Sequence, residues 1–362
     1  MMMQKKWYIL ILVLSINTLT YGQKFVNEFL NIGVGARAHG MSGAIVASVD
    51  DGTGGYWNTA GMIGVNGNLQ LNAMHAKWFG GIANYDYISL AKKIDGHRKQ
   101  VAAFSFIRLG VDNIPNTLNL IGPDGTVDYN RVTNFSAADY AGIFSYARSL
   151  DAEDRLAVGA NVKVIHRSIG SFGKAWGFGA DVSAQYKVND NFRVGASARD
   201  ITTTFNAWSF NLTDEEKQVF EATGNDIPVS STELTLPRLV LGGAYMFTSG
   251  NFSYLGELDL NISTYGTKAA LVSADHFSID PALGIEVGYN DKVFVRGGLG
   301  NIQSVINPVN TAKRKFEVQP NVGLGLKLGR LKVDYALANI GSVSGVLVSH
   351  IFSLGIDFVP RD

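Results

Sequence analysis

The feature that most constrains this chain is a repeated run of about ten residues in which apolar side chains alternate with polar or small ones. In the run 177–188, every second residue is apolar or Ala, and the residues between them are Gly, Ser or polar. The same alternation occurs at 156–164 and at 352–358. Period-2 alternation indicates strands with one apolar and one wet face. We therefore expect an all-β protein.

Fourteen such runs follow residue 68. They are centred near Leu71, Tyr87, Phe104, Phe144, Ala160, Val182, Ala196, Leu241, Leu258, Ile285, Val295, Leu324, Tyr335 and Leu354. An even number of strands is typical of closed bacterial barrels in the outer membrane. The fold class predicted is a transmembrane antiparallel β-barrel of about fourteen strands, occupying 68–362.

The gaps between the runs differ in length according to parity. The second, fourth, sixth, eighth, tenth and twelfth gaps are short and rich in Asp, Asn and Gly, as tight hairpins require. The long gaps are all odd-numbered: 110–139, 201–237, 263–276 and 301–315. Short turns at one end and long loops at the other are the outer-membrane pattern. We expect the long loops to be extracellular and both termini to be periplasmic.

A soluble pair of β-sandwiches is the competing interpretation, since its strands would alternate too. Its polar faces would carry more Lys and Glu, and its loops would be mixed in length. The polar face here is mostly Gly, Ser, Asn and Asp, which suits a packed or hydrated lumen. A closed sheet in lipid also satisfies every backbone group without leaving an edge.

The first 22 residues have the pattern of a secretory signal. Lys5 and Lys6 precede an apolar run from Trp7 to Leu14, and Thr20-Tyr21-Gly22 offers a small-residue cleavage site. A membrane anchor is the alternative, but the run is shorter than the ~20 residues needed to span a bilayer. The expected mature chain begins at Gln23.

Composition argues against several functions. The chain has 362 residues, equal numbers of basic and acidic residues and no Cys, so a general nucleic-acid binder and a thiolate site are excluded. The six His show no metal-ligand spacing, and no nucleophile elbow or phosphate loop occurs. We predict a non-enzymatic protein without metal or cofactor. A hydrolase with a Ser–His pair assembled by the fold is the least favoured alternative.

The segment 31–61 is expected to fill the lumen. It contains eight Gly, which permit turns and close approach, together with Met41, Ile45, Val46, Tyr56 and Trp57, which require burial. A barrel of fourteen strands encloses more room than strand side chains alone can fill. We therefore interpret 23–67 as an N-terminal extension and plug.

This segment carries a resemblance to a known family. The residues from Gly35 to Gly61 resemble the N-terminal signature of the PorV/PorQ family, whose members look like relatives of the FadL fatty-acid transporter. The matching steps are Ala36-Arg37-Ala38, Met41-Ser42, Asp50-Asp51 and Trp57-Asn58-Thr59-Ala60-Gly61. Thr59 stands where the family pattern has Pro, so the turn there is expected to be looser. The loop 204–210, TFNAWSF, also resembles the family.

The resemblance implies a FadL-like barrel of the outer membrane in Bacteroidota and a part in type IX secretion. The implied partners are outer-membrane lipid, proteins of the translocon or the attachment complex, and cargo with C-terminal sorting domains. The alternative is a FadL-like transporter that admits hydrophobic small molecules. A continuous apolar pocket opening through the wall would favour transport, and a sealed lumen under an exposed aromatic platform would favour secretion.

Five plug residues are candidates for holding the plug in place. Arg37 is expected to pair with a lumen carboxylate such as Asp181 or Glu257, because buried charges need partners. Asp50 and Asp51 are expected to form a turn before Gly52; alternatively they pair with Arg37 or bind a cation, although a hard cation wants six or more oxygens. Asn58 is expected to stabilise a turn. Trp57 is expected to be a packing anchor, or alternatively to line a ligand path, as is Tyr56.

The longest loop, 201–237, is the candidate partner-binding surface. Phe205, Trp208 and Phe210 are aromatic residues of the kind that form binding hot spots. The alternative is that they fold down and close the barrel mouth. Thr213 and Glu216 match a capping box that opens a short helix to about Phe220. In the other long loop, Gly122-Pro123-Asp124-Gly125 predicts the turn of a small surface hairpin.

Overall fold

The structure, a computed structural model, describes residues 26–359 except 95, 122–124, 267–269, 275, 307–313 and 341–347. The predicted signal at 1–22 and the loop turn at Gly122–Asp124 therefore lie outside the described residues. Within the described ranges, no helix combines the length and the apolar character needed to cross a membrane.

The elements follow one another along the chain as short helices, strands and one loop helix. Two short helices, α1 (Ala36–Gly40) and α2 (Gly54–Trp57), come first, and a third, α3 (Asp214–Ala222), lies in a later loop. Short 3₁₀ turns occur at Glu28–Asn31, Thr59–Gly64, Phe79–Gly81 and Tyr129–Arg131. The strands are β1 (Leu69–Trp78), β2 (Ala83–Ile94), β3 (Gln100–Asn116), β4 (Thr133–Ser149), β5 (Leu156–Ile169), β6 (Gly173–Lys187), β7 (Phe192–Arg199), β8 (Thr204–Phe210), β9 (Thr232–Thr235), β10 (Arg238–Ser249), β11 (Phe252–Ser263), β12 (Val272–Ala274), β13 (Phe277–Tyr289), β14 (Val293–Ile306), β15 (Arg314–Leu328), β16 (Leu331–Ala338) and β17 (Ser349–Phe358).

All strands belong to one antiparallel sheet that closes on itself. β1 pairs with β2 on one edge and with β17 on the other, from Leu69 opposite Phe358 to Lys77 opposite His350. Strands β8, β9 and β12 are short additions at the long-loop end, so fourteen strands form the wall. The predicted all-β barrel and its fourteen strands are confirmed, and each predicted centre lies in a different barrel strand.

Side chains alternate between the wall's two faces as the pattern predicted. On β6, Phe178, Val182 and Tyr186 are exposed on the outside, while Asp181, Ser183 and Gln185 are buried inside. The outer face carries most of the exposed large apolar residues of the molecule. In lipid this face takes the place that a core has in a soluble domain.

The hairpins sort by end of the barrel, but strands extend into the predicted long loops: β14 runs to Ile306 and β15 begins at Arg314, both within 301–315. β3 and β4 pair as far as Asn116 opposite Thr133, past a bulge between Val111 and Ile114, so this loop is shorter than the predicted 110–139. The extra pairing arises because alternating residues continue beyond the expected barrel rim. A bridge between Ile121 and Val127 flanks the predicted loop turn.

The plug runs along the inside of the barrel from end to end. Asn27 bonds Thr235 and Asn206 near the long-loop end, whereas the Lys93 ammonium bonds the Asn66 carbonyl near the short-turn end, where β1 begins. The first described residues thus lie at the long-loop end, and the prediction of a periplasmic N-terminus is wrong for this segment. The plug therefore crosses the lumen from the long-loop end before β1 begins at the short-turn end. β17 ends at the short-turn end, as predicted.

The plug packs tightly against the wall. A Cβ added to Gly159 of β5 would lie 2.6 Å from the backbone nitrogen of Ala60, and one added to Gly298 of β14 would lie 2.4 Å from the carbonyl carbon of Met41. Met41, Ile45 and Met62 are completely or almost completely buried. The glycines on the inward face of the strands therefore make room for plug backbone.

Candidate functional site

Two carboxylates on the inner face of β11 hold the middle of the plug. Asp259 Oδ2 accepts hydrogen bonds from the backbone N–H groups of Ile45 and Val46, each at 3.0 Å, and Glu257 Oε1 accepts one from Ala47 at 2.6 Å. Both side chains are fully or nearly fully buried. Their other oxygens, Glu257 Oε2 and Asp259 Oδ1, have no hydrogen-bond partner among the described residues. Two side chains of one strand thus hold three consecutive backbone amides of the plug, at 45–47.

Arg37 forms the second attachment, through ion pairs at the short-turn side. Its guanidinium lies 3.1 Å from Glu286 and 3.8 Å from Asp50. The chain of ion pairs continues from Glu286 to Arg296 at 2.5 Å and on to Asp334 at 2.6 Å. Burial lowers the pKa of Arg37, but Glu286 and Asp50 outweigh it and raise the pKa above its usual value. The guanidinium is therefore charged at every pH at which the barrel is handled.

The carboxylates named from the sequence as partners of Arg37 were wrong. Asp181 binds the Lys163 ammonium at 2.7 Å instead, and Glu257 binds the Ala47 amide. The helix α1 that carries Arg37 packs mainly against β15 and β16, and from there Arg37 reaches Glu286 of β13. Sequence order alone does not place a plug residue opposite a particular strand.

Asp50 and Asp51 differ in their surroundings. The Asp51 carboxylate accepts a hydrogen bond from the Thr53 backbone at 2.9 Å, which is the predicted turn. Asp50 is 53% exposed at the side chain and faces Arg37. Among the described residues, no three His, Asp or Glu side chains are grouped so as to hold a metal ion.

Trp57 and Asn58 lie at the centre of the plug. The Trp57 indole donates to the Val34 carbonyl at 2.8 Å, and its ring lies against Gly33, whose φ of +97° and close contact exclude a larger residue. The Asn58 amide donates to the carbonyls of Val46 and Ala184, at 2.7 and 3.0 Å. The Asn58 carbonyl accepts from Ala60. Asn58 therefore ties two plug turns to β6.

Arg199 of β7 covers the aromatic pair of the plug. Its guanidinium carbon lies 4.9 Å from the Tyr56 ring centre and 5.5 Å from that of Trp57. Its Nη2 also donates to the Tyr56 carbonyl at 3.1 Å. A cation above two rings is a stabilising arrangement in a dry site. Neither Arg199 nor the Lys163 pair was found from the sequence, although both are inward charges on strands that need partners.

The plug separates two cavities. The loop-side cavity, of about 500 Å³, is bordered by Trp57, Trp78, Arg238 and Asp280 together with many amides. The turn-side cavity, of about 420 Å³, is lined largely by charged groups that include Arg37, Glu286 and Lys332. Both linings are predominantly polar. Trp57 thus packs within the plug and also lines the loop-side cavity.

The wall is interrupted beside the loop-side cavity. Pairing between β13 and β14 stops at Leu283 opposite Leu299, and in the described part of the chain 280–282 and 300–302 do not pair with one another. β12 and Ala270 occupy the space between these strands nearer the loops. Asp280, Gly300 and Ile302 line the cavity at this interruption. The cavity therefore extends to the wall at this interruption.

The three loop aromatics do not form one exposed surface. Phe205 points outward from β8 and contacts Phe178, with ring centres 5.9 Å apart. Trp208, on the other face, is 9% exposed; its indole donates to Glu233 at 2.8 Å. Phe210 stacks on Trp208 with ring centres 5.6 Å apart. Strand pairing with β6 causes this division, since neighbouring residues alternate between faces.

Phe210 instead lines an apolar pocket between the loops. The pocket has a volume of about 310 Å³, and its wall is almost entirely apolar, including Leu118, Phe135, Phe172, Phe210, Leu212 and Phe220. Phe220 belongs to α3, whose capping box between Thr213 and Glu216 is formed as predicted. The pocket is at the lower end of the size range of small-molecule sites.

Comparison with solved structures identifies the architecture. The toluene transporter TodX of P. putida superposes with a TM-score of 0.56 at 13% identity, over 91% of this chain and 99% of that one. The toluene transporter TbuX of Ralstonia pickettii gives 0.52 at 14%, over 90% and 98%. A Pseudomonas aeruginosa FadL homologue gives 0.51 at 11%, over 90% and 98%.

The fold is that of a FadL-like outer-membrane barrel. No protein-family model and no curated protein matches the chain. The FadL-like fold confirms the predicted barrel class, and the apolar outer face of the wall suits contact with lipid. The identities are low, so the comparisons establish the fold and not the cargo.

Proposed function

We propose that this FadL-like barrel is a transporter that captures a small hydrophobic molecule at its loop end. The single observation that carries the proposal is the apolar pocket between β3–β4, the β5–β6 turn and the loop containing α3. This open concavity has an almost entirely apolar wall, so a small hydrophobic molecule that approaches the loop end could enter it. The two superposed toluene transporters make a monoaromatic hydrocarbon a suitable first probe.

The polar lumen limits how such a molecule would travel. Both lumen cavities are polar, and the plug between them is held by ion pairs and by buried hydrogen bonds. A hydrocarbon would be poorly solvated there in the observed arrangement. Uptake therefore requires displacement of part of the plug, and the pocket serves as the first binding site.

Toluene binding to the purified protein in detergent tests this proposal. Titration followed by ligand-observed NMR should give saturable binding, and Phe210→Asp should weaken it at least tenfold, because a carboxylate would then line the pocket. Ser209→Asp is the matched control, since Ser209 is exposed on the opposite face of β8. Retention of heat-modifiable migration in gels establishes that both variants still form barrels. Equal binding by the two variants would refute capture at the pocket.

A second candidate function is a binding and relay role in type IX secretion, with translocon or attachment proteins and sorting-domain cargo as partners. The plug that divides the lumen favours it, because a closed barrel suits a protein that acts through its surfaces. Affinity purification from native outer membranes distinguishes the two. Recovery of secretion subunits would favour the relay, and recovery of the barrel alone with a bound hydrophobic molecule would favour transport. Neither role includes catalysis, and the absence of enzymatic activity stays a prediction.

A further inference from the structure

The two cavities that the plug separates differ in the kind of polar group that lines them. Among the described residues, ten charged side chains border the turn-side cavity, whereas the loop-side cavity has three, Glu28, Arg238 and Asp280. The loop-side cavity is lined instead by seven Asn and Gln side chains. A lumen that only had to be hydrated would not require this difference between its two ends. The loop-side lining therefore suits a solute that is polar but carries little charge.

Four of these carboxamides form one hydrogen-bonded row along the cavity wall, from β14 to β17, and we call them the amide row. Gln303 Nε2 donates to Asn301 Oδ1 at 2.6 Å, and Asn301 Nδ2 donates to Gln319 Oε1 at 2.9 Å. Gln319 donates in turn to Asn339, whose Nδ2 donates to Ser349 at 3.2 Å. Each member thus donates to the next one in the same direction. The side chains of the row are therefore held in place by one another.

The inner members of the amide row use half of their hydrogen-bonding capacity within it. A carboxamide has two N–H donors and two acceptor lone pairs. Within the described part of the chain, Asn301 and Gln319 each give one N–H to the next member and one lone pair to the previous one. One donor and one acceptor remain on each of these side chains. A sugar hydroxyl is likewise both a donor and an acceptor, so a set of hydroxyl groups matches what the row leaves unused.

The same cavity also has an aromatic surface. Trp57 of the plug, which is half-buried, and Trp78 at the end of β1 both border it. Asn321 connects the plug to the amide row, since it donates to Ser42 at 2.9 Å and accepts from the Asn339 backbone at 3.0 Å. The C–H face of a sugar ring packs on an indole, while its hydroxyls project from the ring edge. The cavity volume of about 500 Å³ falls within the range of small-molecule sites.

The other groups around the cavity argue against an anion and against a hydrocarbon. The Arg238 guanidinium already donates to Asn31, which donates to Glu28 at 2.9 Å. An anion would therefore meet one engaged cation and the carboxylates of Glu28 and Asp280. A hydrocarbon would cover the amide groups without replacing the hydrogen bonds that they make to water. A neutral ligand with several hydroxyl groups avoids both costs.

We propose that the loop-side cavity binds a neutral sugar of one or two rings, held by the amide row and by the Trp57 ring. This site is separate from the apolar pocket, because the two share no lining residue among those described. The plug lies between the site and the turn-side cavity, so a bound sugar is retained at the loop end of the lumen. The proposal is independent of the transport function proposed above.

Binding of neutral sugars to the purified protein tests the proposal. The detergent has to be free of sugar, such as lauryldimethylamine oxide, because glycoside detergents would compete for the site. Ligand-observed NMR with glucose, galactose, mannose, maltose, cellobiose and sucrose should show saturable binding of at least one of them. The dipeptide Gly-Gly, which carries two charges, should bind at least tenfold more weakly than that sugar. Absence of saturable binding for all six sugars would overturn the proposal, and tighter binding of Gly-Gly would overturn it in favour of a peptide site.

Substitutions in the amide row locate the bound sugar. Gln303→Leu and Gln319→Leu remove the amide with little change in size, and each should weaken sugar binding at least fivefold. Gln218→Leu is the matched control, since Gln218 is exposed on α3 and does not border the cavity. Heat-modifiable migration in gels establishes that every variant still forms a barrel. If either variant of the row bound the sugar as well as the native protein does, the proposal would be wrong.

The variant Phe210→Asp separates this proposal from the transport function. It changes the apolar pocket and not the loop-side cavity, so sugar binding should stay at the native level while toluene binding falls. Gln319→Leu should show the reverse, with toluene binding retained. A loss of sugar binding in Phe210→Asp would overturn the assignment of the sugar to the loop-side cavity.

Discussion

Asp259 Oδ2 lies 3.0 Å from the backbone nitrogens of both Ile45 and Val46, so one buried carboxylate oxygen holds two consecutive amides of the plug. The carboxylate and the amides are separated by more than two hundred positions in the chain. Their contact joins the segment that enters the barrel first to a strand in the second half of the wall. The plug is thereby fixed by the barrel's own polar side chains.

The substitution Asp259→Asn should loosen the middle of the plug. The carboxamide keeps one acceptor oxygen but places an NH₂ group where the second carboxyl oxygen was, and the two hydrogen bonds together should weaken by about 2 kcal/mol. Hydrogen exchange of the amides at 44–48 should become faster, while the barrel strands keep their protection. Asp226→Asn, at an exposed loop position, is the control. Unchanged exchange at 45 and 46 would contradict the assigned role of Asp259.

The ion pair between Arg37 and Glu286 should show strong coupling. Removing one partner leaves the other with its second ion pair, Arg296 for Glu286 or Asp50 for Arg37, so each change should cost less than the about 3–5 kcal/mol of a fully unpaired buried charge. Arg37→Gln and Glu286→Gln should each destabilise plug docking, and the double variant should cost less than the sum, with a coupling energy of about 1–3 kcal/mol. Chemical denaturation of the plug, followed by Trp57 fluorescence, provides the measurement. Additive effects would mean that the contact contributes nothing of its own.

Plug stability should depend on pH through His39. Burial lowers the pKa of His39 to about 4, and its hydrogen bond with the Gly33 carbonyl only partly opposes this. In the unfolded chain the pKa is about 6.5, so between pH 4 and 6.5 the unfolded state binds more protons and stability rises with pH. Stability is full above about pH 6.5 and is lost as the pH falls to 4, by about 3 kcal/mol.

The variant His39→Gln isolates this effect from that of other acids near the cavity, such as Glu28 and Asp280. Hydrogen exchange at 33–40, measured from pH 3.5 to 7, should show the slope in the native protein and a flatter profile in the variant. A profile unaffected by the substitution would mean that His39 does not titrate differently in the folded state.

Gly61→Ala should prevent normal seating of the plug. A Cβ at this position would lie 2.2 Å from the Val49 carbonyl oxygen and 2.8 Å from its side chain, so the backbone would have to move. Overpacking of this kind costs about 1–3 kcal/mol or more. Limited proteolysis should cut the variant within 44–65. Gly256→Ala, where no atom of the described residues lies within 4 Å of the added Cβ, should behave like the native protein.

Much of the wall was predictable from the sequence because the surroundings impose a simple rule on it. Phe178 and Asp181 lie on opposite faces of β6 as the period-2 pattern indicates, since lipid and lumen make opposite demands on neighbouring residues. The loop helix opening at Thr213 was predictable for a similar reason, as its capping box is entirely local.

The contacts across the lumen were not predictable in the same way. That Arg37 meets Glu286 and not Asp181 depends on the path of an irregular chain, which no periodicity describes. The pocket around Phe210 was not predicted because the residues that line it come from three loops. The sequence of each loop by itself indicates only a polar or aromatic surface. β8 was also missed as a strand, so the division of Phe205 from Trp208 and Phe210 was not seen.

The plug also contacts both strands of the seam at which the barrel closes, β1 and β17. The Ala36 amide donates to Ser353 of β17, and the Gly35 amide lies 3.0 Å from the Met74 sulfur of β1. The first and last barrel strands are therefore bridged from inside by residues that precede both of them. Sealing of the wall and seating of the plug are therefore energetically coupled, because the same two plug residues bond both edges of the seam.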